Sequence, residues 1–352
     1  TWELLRTDQQ LPLYAMTFVD QDRGWAVGAL GTILATRDGG RTWRRQRTGG
    51  TRVALLGLFS EAHRIPLEMF AMQSGEEGYL GFAELLNRRD IELPSADDAP
   101  LEDQSHAALS AVGACGAELA WRFPVRQSGL RFGAQDLMNV WDRANDGQGV
   151  DLMEELVVRR IRQWRPEVVI TEAASPRGDH PLSHLISQIV LSAVTDAADP
   201  TSYPEHATIA GLAPWTVKKV FCVADDKDQA TVRLTTAQLA TRLGRSVAEQ
   251  AADGYSMICP RFEPSPVTKG FQLVQDRLPQ SAGRKDVFSG IFLQPGGEAR
   301  RRTSQPVARN MESLARAAQK RRNMEQLFEA TSGASANAAA WLGQVQDLTK
   351  SL

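Results

Sequence analysis

The sequence predicts an α/β protein with a three-layer, Rossmann-like domain in its middle. Apolar, β-branched runs such as Val53–Phe59 and Val168–Thr171 have the composition of strands buried on both faces, which is typical of parallel sheets. Between residues 51 and 225 these runs alternate with amphipathic segments such as Asp151–Trp164, whose apolar residues recur at helical spacing. Strands that alternate with helices indicate a parallel sheet covered by helices on both faces.

The stretch from Arg165 to His184 is the part of this domain best suited to chemistry. A buried strand runs into a polar loop, and a helix that carries His184 follows. Open α/β sheets place ligand groups at the carboxyl ends of their strands in this way. His180 and His184 are four residues apart, so on a helix they face the same side. Further helices are predicted over 66–72, 106–115, 134–143 and 184–198, and further strands over 79–86, 119–125 and 217–223.

The two ends of the chain differ from this middle domain. Residues 1–50 alternate like strands around the turn Asp38-Gly39-Gly40, in which glycine supplies positive φ. Residues 226–352 are predicted to be a mainly helical extension. In that extension we expect helices over 235–252 and 306–330, a short strand over 287–293 and a linker-like tract over 331–340. The predicted domains are therefore 1–50, 51–225 and 226–352.

Composition excludes several classes of protein. The net charge of −2 gives no sign of a nucleic-acid partner. No apolar run reaches the roughly 18 residues that a membrane span requires. The three cysteines are far apart and lack the spacing of a metal site or a disulfide framework, so we expect buried, unpaired thiols at Cys115, Cys222 and Cys259. His106 and His206 belong to no motif and are predicted to be surface residues, and the oligomeric state stays open.

The N-terminal module resembles a known repeat. The run TRDGGRTW is similar to the Asp-box of BNR-type β-propeller blades, and Gly24–Trp43 as a whole resembles a blade of the photosystem-assembly-factor type. Blades bury their faces only against neighbours, so either further blades precede Thr1 or this one packs on the next domain. The resemblance, together with a start at Thr1 without Met, leads us to expect export to the periplasm or beyond, with a cytoplasmic location as the alternative.

Several motifs of the middle domain resemble those of a known enzyme family. RPEVVIT and GDHPLSH are similar to a strand after an R-P-D-V-V turn and to a G-H-P-D-H loop in the LmbE/PIG-L family of zinc-dependent N-deacetylases. ADPTSYPEH followed by GLAPWTVKKVF resembles a further family stretch. The likeness covers roughly half of the chain.

The resemblance implies a division of labour among named residues. In the family, zinc activates a water, a carboxylate takes its proton and a histidine meets the developing negative charge. Carried over to this chain, His63 and His184 are the metal ligands, and His180 and Asp179 are the catalytic candidates. The expected ligand is an amino sugar or a glycan conjugate.

The first histidine box departs from the family pattern. Ala62-His63 stands where A-H-P-D-D begins, but Arg64-Ile65-Pro66 follows and neither aspartate is present. Zinc needs a third protein ligand, for which Asp179, Glu172, Glu61 and Glu68 are the candidates. Two functions therefore stay open. One is zinc-dependent hydrolysis of an N-acetyl amide, and the other is glycan or partner binding without catalysis on the same fold.

Overall fold

The computed structural model describes residues 9, 11–47, 50–86, 100–120, 133–174, 181–224, 230–259, 264–279, 286–294 and 297–301. The helix predicted over 306–330 and the linker-like tract over 331–340 lie outside these ranges. Asp179 and His180 lie outside them as well.

A seven-stranded, mostly parallel sheet forms the centre of the described part and confirms the predicted α/β class. Its spatial order is β10-β13-β9-β8-β5-β6-β7. Five neighbouring strands are parallel, and the two at one edge are antiparallel. The strands are β5 (Leu55–Phe59), β6 (Gly81–Leu85), β7 (Ala117–Leu119), β8 (Val168–Thr171), β9 (Lys219–Ala224), β10 (Val232–Thr235) and β13 (Thr268–Asp276).

Helices cover both faces of the sheet, so the domain has the three layers that the sequence predicts. The inner strands are apolar on both faces because each face is buried under helices. One layer contains α1 (Leu67–Phe70), α2 (Leu101–Ala111) and α7 (Val247–Ile258), and the other contains α3 (Ala134–Ala144), α4 (Gly149–Trp164) and α5 (Pro181–Ala198). A short α6 (Glu205–Thr208) follows α5. Among the described residues, no helix is both long enough and apolar enough to cross a bilayer.

The C-terminal region is more β-rich than predicted. β10 and β13 come from beyond residue 225, yet β13 pairs with β9 and extends the central sheet. The helix expected over 235–252 begins only at Val247, after a small two-stranded sheet of β11 (Leu239–Ala240) and β12 (Arg245–Ser246). The segment 287–293 forms no strand. The strand β13 went unpredicted because its half-buried residues, TKGFQLVQD, do not form an apolar run.

The N-terminal module is a four-stranded antiparallel sheet in sequential order. Its strands are β1 (Leu13–Phe18), β2 (Gly24–Gly28), β3 (Thr32–Thr36) and β4 (Arg44–Arg47). Asp38 closes the predicted turn by accepting hydrogen bonds from Thr42 N (2.9 Å) and the Thr36 hydroxyl (2.8 Å). The hydrogen bond from the Thr42 hydroxyl contributes most to a lowered pKa, and together these bonds lower the pKa of Asp38 to about 2. That the sheet is one blade of a propeller stays a prediction.

One correction concerns His206, which is only 3% exposed and not a surface residue. Its ring stacks on Tyr203, and its Nδ1 lies 3.5 Å from Arg162. Arg162 is buried as well, and it orders the ADPTSYPEH loop by donating to backbone carbonyls. Those carbonyls belong to Asp196, Ala197, Asp199, Ser202 and Tyr203. In this chain, the stretch that resembles the family therefore has a structural role.

Cys115, Cys222 and Cys259 are thiols, and only Cys222 is fully buried. Burial raises the pKa of the Cys222 thiol to about 12 and that of Cys115 to about 11.

Candidate functional site

The strand order places a topological switch point at the carboxyl ends of β5 and β8. From β5 the chain passes to β6 and β7 on one side, and it then returns to β8 on the other side of β5. Ligands of open α/β sheets bind where the strand order reverses in this way. The Thr171 hydroxyl donates to Leu58 O at 2.8 Å and ties these two strand ends together. The residues that follow each strand, from Ser60 and from Glu172, therefore meet at one edge.

A buried carboxylate lies at this position. Glu172 is only 2% exposed. Its Oε1 accepts hydrogen bonds from the backbone N–H of Ser60 at 2.5 Å and from the Ser60 hydroxyl. Its Oε2 lies 3.4 Å from Nη1 of Arg64. Glu172 is thus held by one residue of the loop after β5 and paired with a second.

The turn after β5 brings three further charged or titratable side chains to the site. Ala62–Arg64 forms one turn of 3-10 helix. Nε of Arg64 lies 3.9 Å from Oε2 of Glu61, and Nε2 of His63 lies 3.4 Å from the same oxygen. Arg64 therefore contacts two third-ligand candidates, Glu61 and Glu172, and Glu61 also lies beside the predicted ligand His63. The cation that lies between the two carboxylates is Arg64.

His184 approaches from the other side of the switch point, in the first turn of α5. It is partly buried, and its Nδ1 has no hydrogen-bond partner among the described residues. A buried ring nitrogen without a partner is a group on which a ligand or ion can bind. The described contacts do not join His184 to His63 or to Glu172.

Glu68 belongs to a different cluster. It is 1% exposed on α1, and its Oε2 accepts from Lys269 Nζ and from the Tyr255 hydroxyl, each at 2.8 Å. Burial alone would raise the pKa of Glu68, but the charge of the Lys269 ammonium and its hydrogen bond lower the pKa below the ordinary value. The Tyr255 hydroxyl also accepts from Leu67 N at 3.1 Å. This cluster supports the turn that carries His63.

The described donor set does not fit a catalytic zinc ion. Zinc at such a site takes three side-chain ligands and keeps one position open. Glu61 and Glu172 share their Oε2 atoms with the Arg64 guanidinium, and Glu68 is held by Lys269. Among the described residues, no three His, Cys, Asp or Glu side chains are grouped so that they could hold a metal ion.

Comparison with known proteins gives a partial match for the N-terminal part. A family profile described as photosynthesis system II assembly factor YCF48 matches residues 1–78. The photosystem II assembly protein Ycf48 of Thermosynechococcus vestitus is 40% identical over 42 residues, which are 12% of this chain and 12% of that protein. The profile match extends beyond the antiparallel module into β5 and α1. The chain therefore matches a small share of that relative's length.

Three solved structures resemble a larger part of the chain. The N,N'-diacetylchitobiose deacetylase of Pyrococcus horikoshii is 11% identical with a TM-score of 0.44, over 63% of this chain and 83% of that one. The 4-carboxy-2-hydroxymuconate hydratase GalB of Pseudomonas putida is 13% identical with a TM-score of 0.41, over 66% and 100%. A deacetylase of teicoplanin biosynthesis is 13% identical with a TM-score of 0.34, over 64% and 100%. These proteins include a hydratase as well as deacetylases.

Two participants in the site were not identified from the sequence. Ser60 supplies both hydrogen bonds to Oε1 of Glu172, and Arg64 supplies the cation. The sequence does contain a signal for Ser60. It directly follows one predicted strand, Val53–Phe59, just as Glu172 directly follows another, Val168–Thr171. No pattern in the sequence indicates that Arg64 points to Glu172, since the two are 108 residues apart.

Proposed function

We propose that this chain binds an amino-sugar-type ligand at the carboxyl ends of β5 and β8 and does not hydrolyse it by zinc chemistry. The observation that carries the proposal is the ion pair of Arg64 with the buried Glu172. A carboxylate whose oxygens already have a backbone N–H, a hydroxyl and a guanidinium is not free to act as a general base or as a zinc ligand. The absence of both aspartates after His63 points the same way.

The ligand class rests on the resemblance of the chain's motifs to the LmbE/PIG-L family. Sugars present hydroxyl and amide groups, which partly buried polar side chains in a concave site recognise through hydrogen bonds. His184 offers such a group in its Nδ1, which has no partner in the described part of the chain. His63, Glu61 and Arg64 offer others, because all three remain partly exposed.

Binding and hydrolysis are separated by titrating the purified chain with glucosamine and with N-acetylglucosamine conjugates while released acetate is measured. We expect saturable binding and no acetate release above the rate without protein, with or without added zinc. His184→Ala should weaken binding about tenfold, which corresponds to the loss of one hydrogen bond to the ligand. The matched control is His106→Ala, an exposed histidine on α2, which should leave the affinity unchanged.

N-Deacetylation is the second candidate, and the positions of His63 and His184 after neighbouring parallel strands favour it. A zinc content near one equivalent, combined with zinc-dependent acetate release, would establish this alternative and refute the binding proposal. Catalytic zinc sites normally retain their metal, so less than about a tenth of an equivalent in protein prepared without chelator argues against it.

A further inference from the structure

The resemblance to zinc deacetylases implies a zinc ion at this site, whereas the cation that contacts Glu172 is the Arg64 guanidinium. We propose that the Arg64 guanidinium is the resident cation of the site and that it keeps a divalent ion out. This inference deepens the proposed function and rests on it, because a site that already contains its own cation binds ligands without metal. Its consequence is that removal of Arg64 opens a metal site that the wild-type protein lacks.

The contacts make Arg64 and a metal ion alternatives for the same oxygens. The guanidinium lies 3.4 Å from Oε2 of Glu172 and 3.9 Å from Oε2 of Glu61. These two carboxylates come from opposite sides of the switch point, one after β5 and the other after β8. His63 adds an imidazole nitrogen 3.4 Å from the same Glu61 oxygen. Two carboxylates and one imidazole are ligand types that zinc accepts, but in the wild type the described side chains are not grouped around a common point, and the guanidinium contacts both carboxylates instead.

The burial of Glu172 explains why this carboxylate needs a cation beside it. The side chain of Glu172 is 2% exposed, and those of Glu61 and Arg64 are 17% and 22% exposed. A buried carboxylate without a compensating positive charge is strongly unfavourable. Ser60 contributes two hydrogen bonds but no charge, so the positive charge that contacts Glu172 within the described part of the chain is that of Arg64. Without Arg64, the same carboxylates have to take up a proton or another cation.

The test is zinc binding by the full chain and its Arg64 variants. Wild type, Arg64→Lys, Arg64→Ala and Arg64→Gln are equilibrated with excess zinc, passed through a desalting column and analysed for metal. We expect less than about a tenth of an equivalent in the wild type and in the charge-conserving Arg64→Lys. Arg64→Ala and Arg64→Gln should each retain close to one equivalent and show a rise in melting temperature when zinc is added. If Arg64→Ala does not fold, the polar and neutral Arg64→Gln decides the matter.

The double variant Arg64→Gln/Glu172→Gln is the matched control, and it should lose the zinc that Arg64→Gln gains. The proposal is refuted if the neutral Arg64 variants bind no more zinc than the wild type, or if the double variant retains the metal. Failure of the proposed function is distinguishable, because it shows as zinc-dependent acetate release by the wild-type protein.

Discussion

Glu172 and Glu84 are two buried carboxylates near the carboxyl ends of strands in one sheet, and their surroundings differ. Glu172 receives two hydrogen bonds at Oε1 and a guanidinium at Oε2. Glu84 lies in β6 with 0% exposure, and its Oε1 accepts one hydrogen bond, from Trp164 Nε1 at 2.8 Å. Its Oε2 lies 3.4 Å from Nε of Arg160 but has no hydrogen-bond partner among the described residues.

The difference lies in the groups that compensate each buried carboxylate. Burial raises the pKa of Glu84 to about 7, and the neighbouring Glu118 adds to the shift while Arg160 opposes it. At Glu172 the compensating groups are a serine that donates twice and an arginine directly at the second oxygen. We therefore interpret Glu172 as a group held in place within the proposed site and Glu84 as a proton-binding group within the core.

The largest expected effect is the pH dependence that Glu84 imposes on stability. The folded protein keeps the Glu84 proton up to a pH of about 7, whereas the unfolded chain releases it near 4.5. The folded state therefore loses stability as the pH rises from about 5 to about 7, by on the order of 3 kcal/mol. Glu84→Gln should remove this loss. Urea unfolding of wild type and variant at pH 5 and pH 8 measures the effect.

The quantity to compare is the difference in unfolding free energy between wild type and Glu84→Gln at each pH, because other groups titrate in the same range. Burial lowers the pKa of His206, so His206 favours folding as the pH rises and opposes Glu84 in the wild-type profile. Glu102→Gln, at an exposed position on α2, is the control and should leave the profile unchanged. A Glu84→Gln profile parallel to that of the wild type would contradict the prediction.

A smaller effect of opposite sign is expected at the other carboxylate. Glu172→Gln keeps an acceptor for the two Ser60 hydrogen bonds but places an amide against Arg64, so the protein should lose about 2 kcal/mol of stability at pH 7. Glu298 is the matched control, because it pairs with Arg52 at 3.8 Å but is 65% exposed. Glu298→Gln should change stability by less than about 0.5 kcal/mol. Equal losses for both variants would show that burial does not distinguish the two pairs.

The sequence predicts the parallel part of this fold well because local patterns determine it. Val168–Thr171 and the helix after it are found as predicted, since an apolar run and a helical periodicity are both readable within a few residues. The strand β13 was not predicted because its pairing with β9 is a long-range contact and its residues are only half buried. The same limit explains His206, whose burial depends on Arg162, 44 residues earlier.

At the candidate site, sequence reasoning named several of the side chains and missed the contacts that Arg64 makes with them. His63, Glu61 and Glu172 were candidates; Glu61 contacts His63, and Arg64 contacts both Glu61 and Glu172. Arg64 was noted only as a residue that replaces the expected pattern. Its contact with Glu172 depends on the strand order, which places β5 beside β8, and strand order cannot be read from local periodicity.

The smallest expected effect concerns the cluster that supports the His63 turn. Tyr255→Phe removes the hydroxyl that lies 2.8 Å from Glu68 and accepts from Leu67 N. Glu68 keeps Lys269 at 2.8 Å, so the buried carboxylate is still compensated and the loss should be only about 1 kcal/mol. Thermal or urea unfolding at pH 7 measures it. Tyr79→Phe is the control, because the Tyr79 ring stacks on Phe288 at 3.9 Å, outside this cluster.

This variant also tests whether the cluster positions the turn or only stabilises the domain. The Tyr255 hydroxyl contacts Ile65 O at 3.1 Å, two residues beyond His63, so its loss should loosen the turn. We expect a severalfold weaker affinity for the amino sugar under conditions where the variant is fully folded, because a less ordered turn has to be fixed on binding. An unchanged affinity with the same loss of stability would show that the Tyr255 hydroxyl only stabilises the domain. It would then support α1 but would not position the turn for ligand binding.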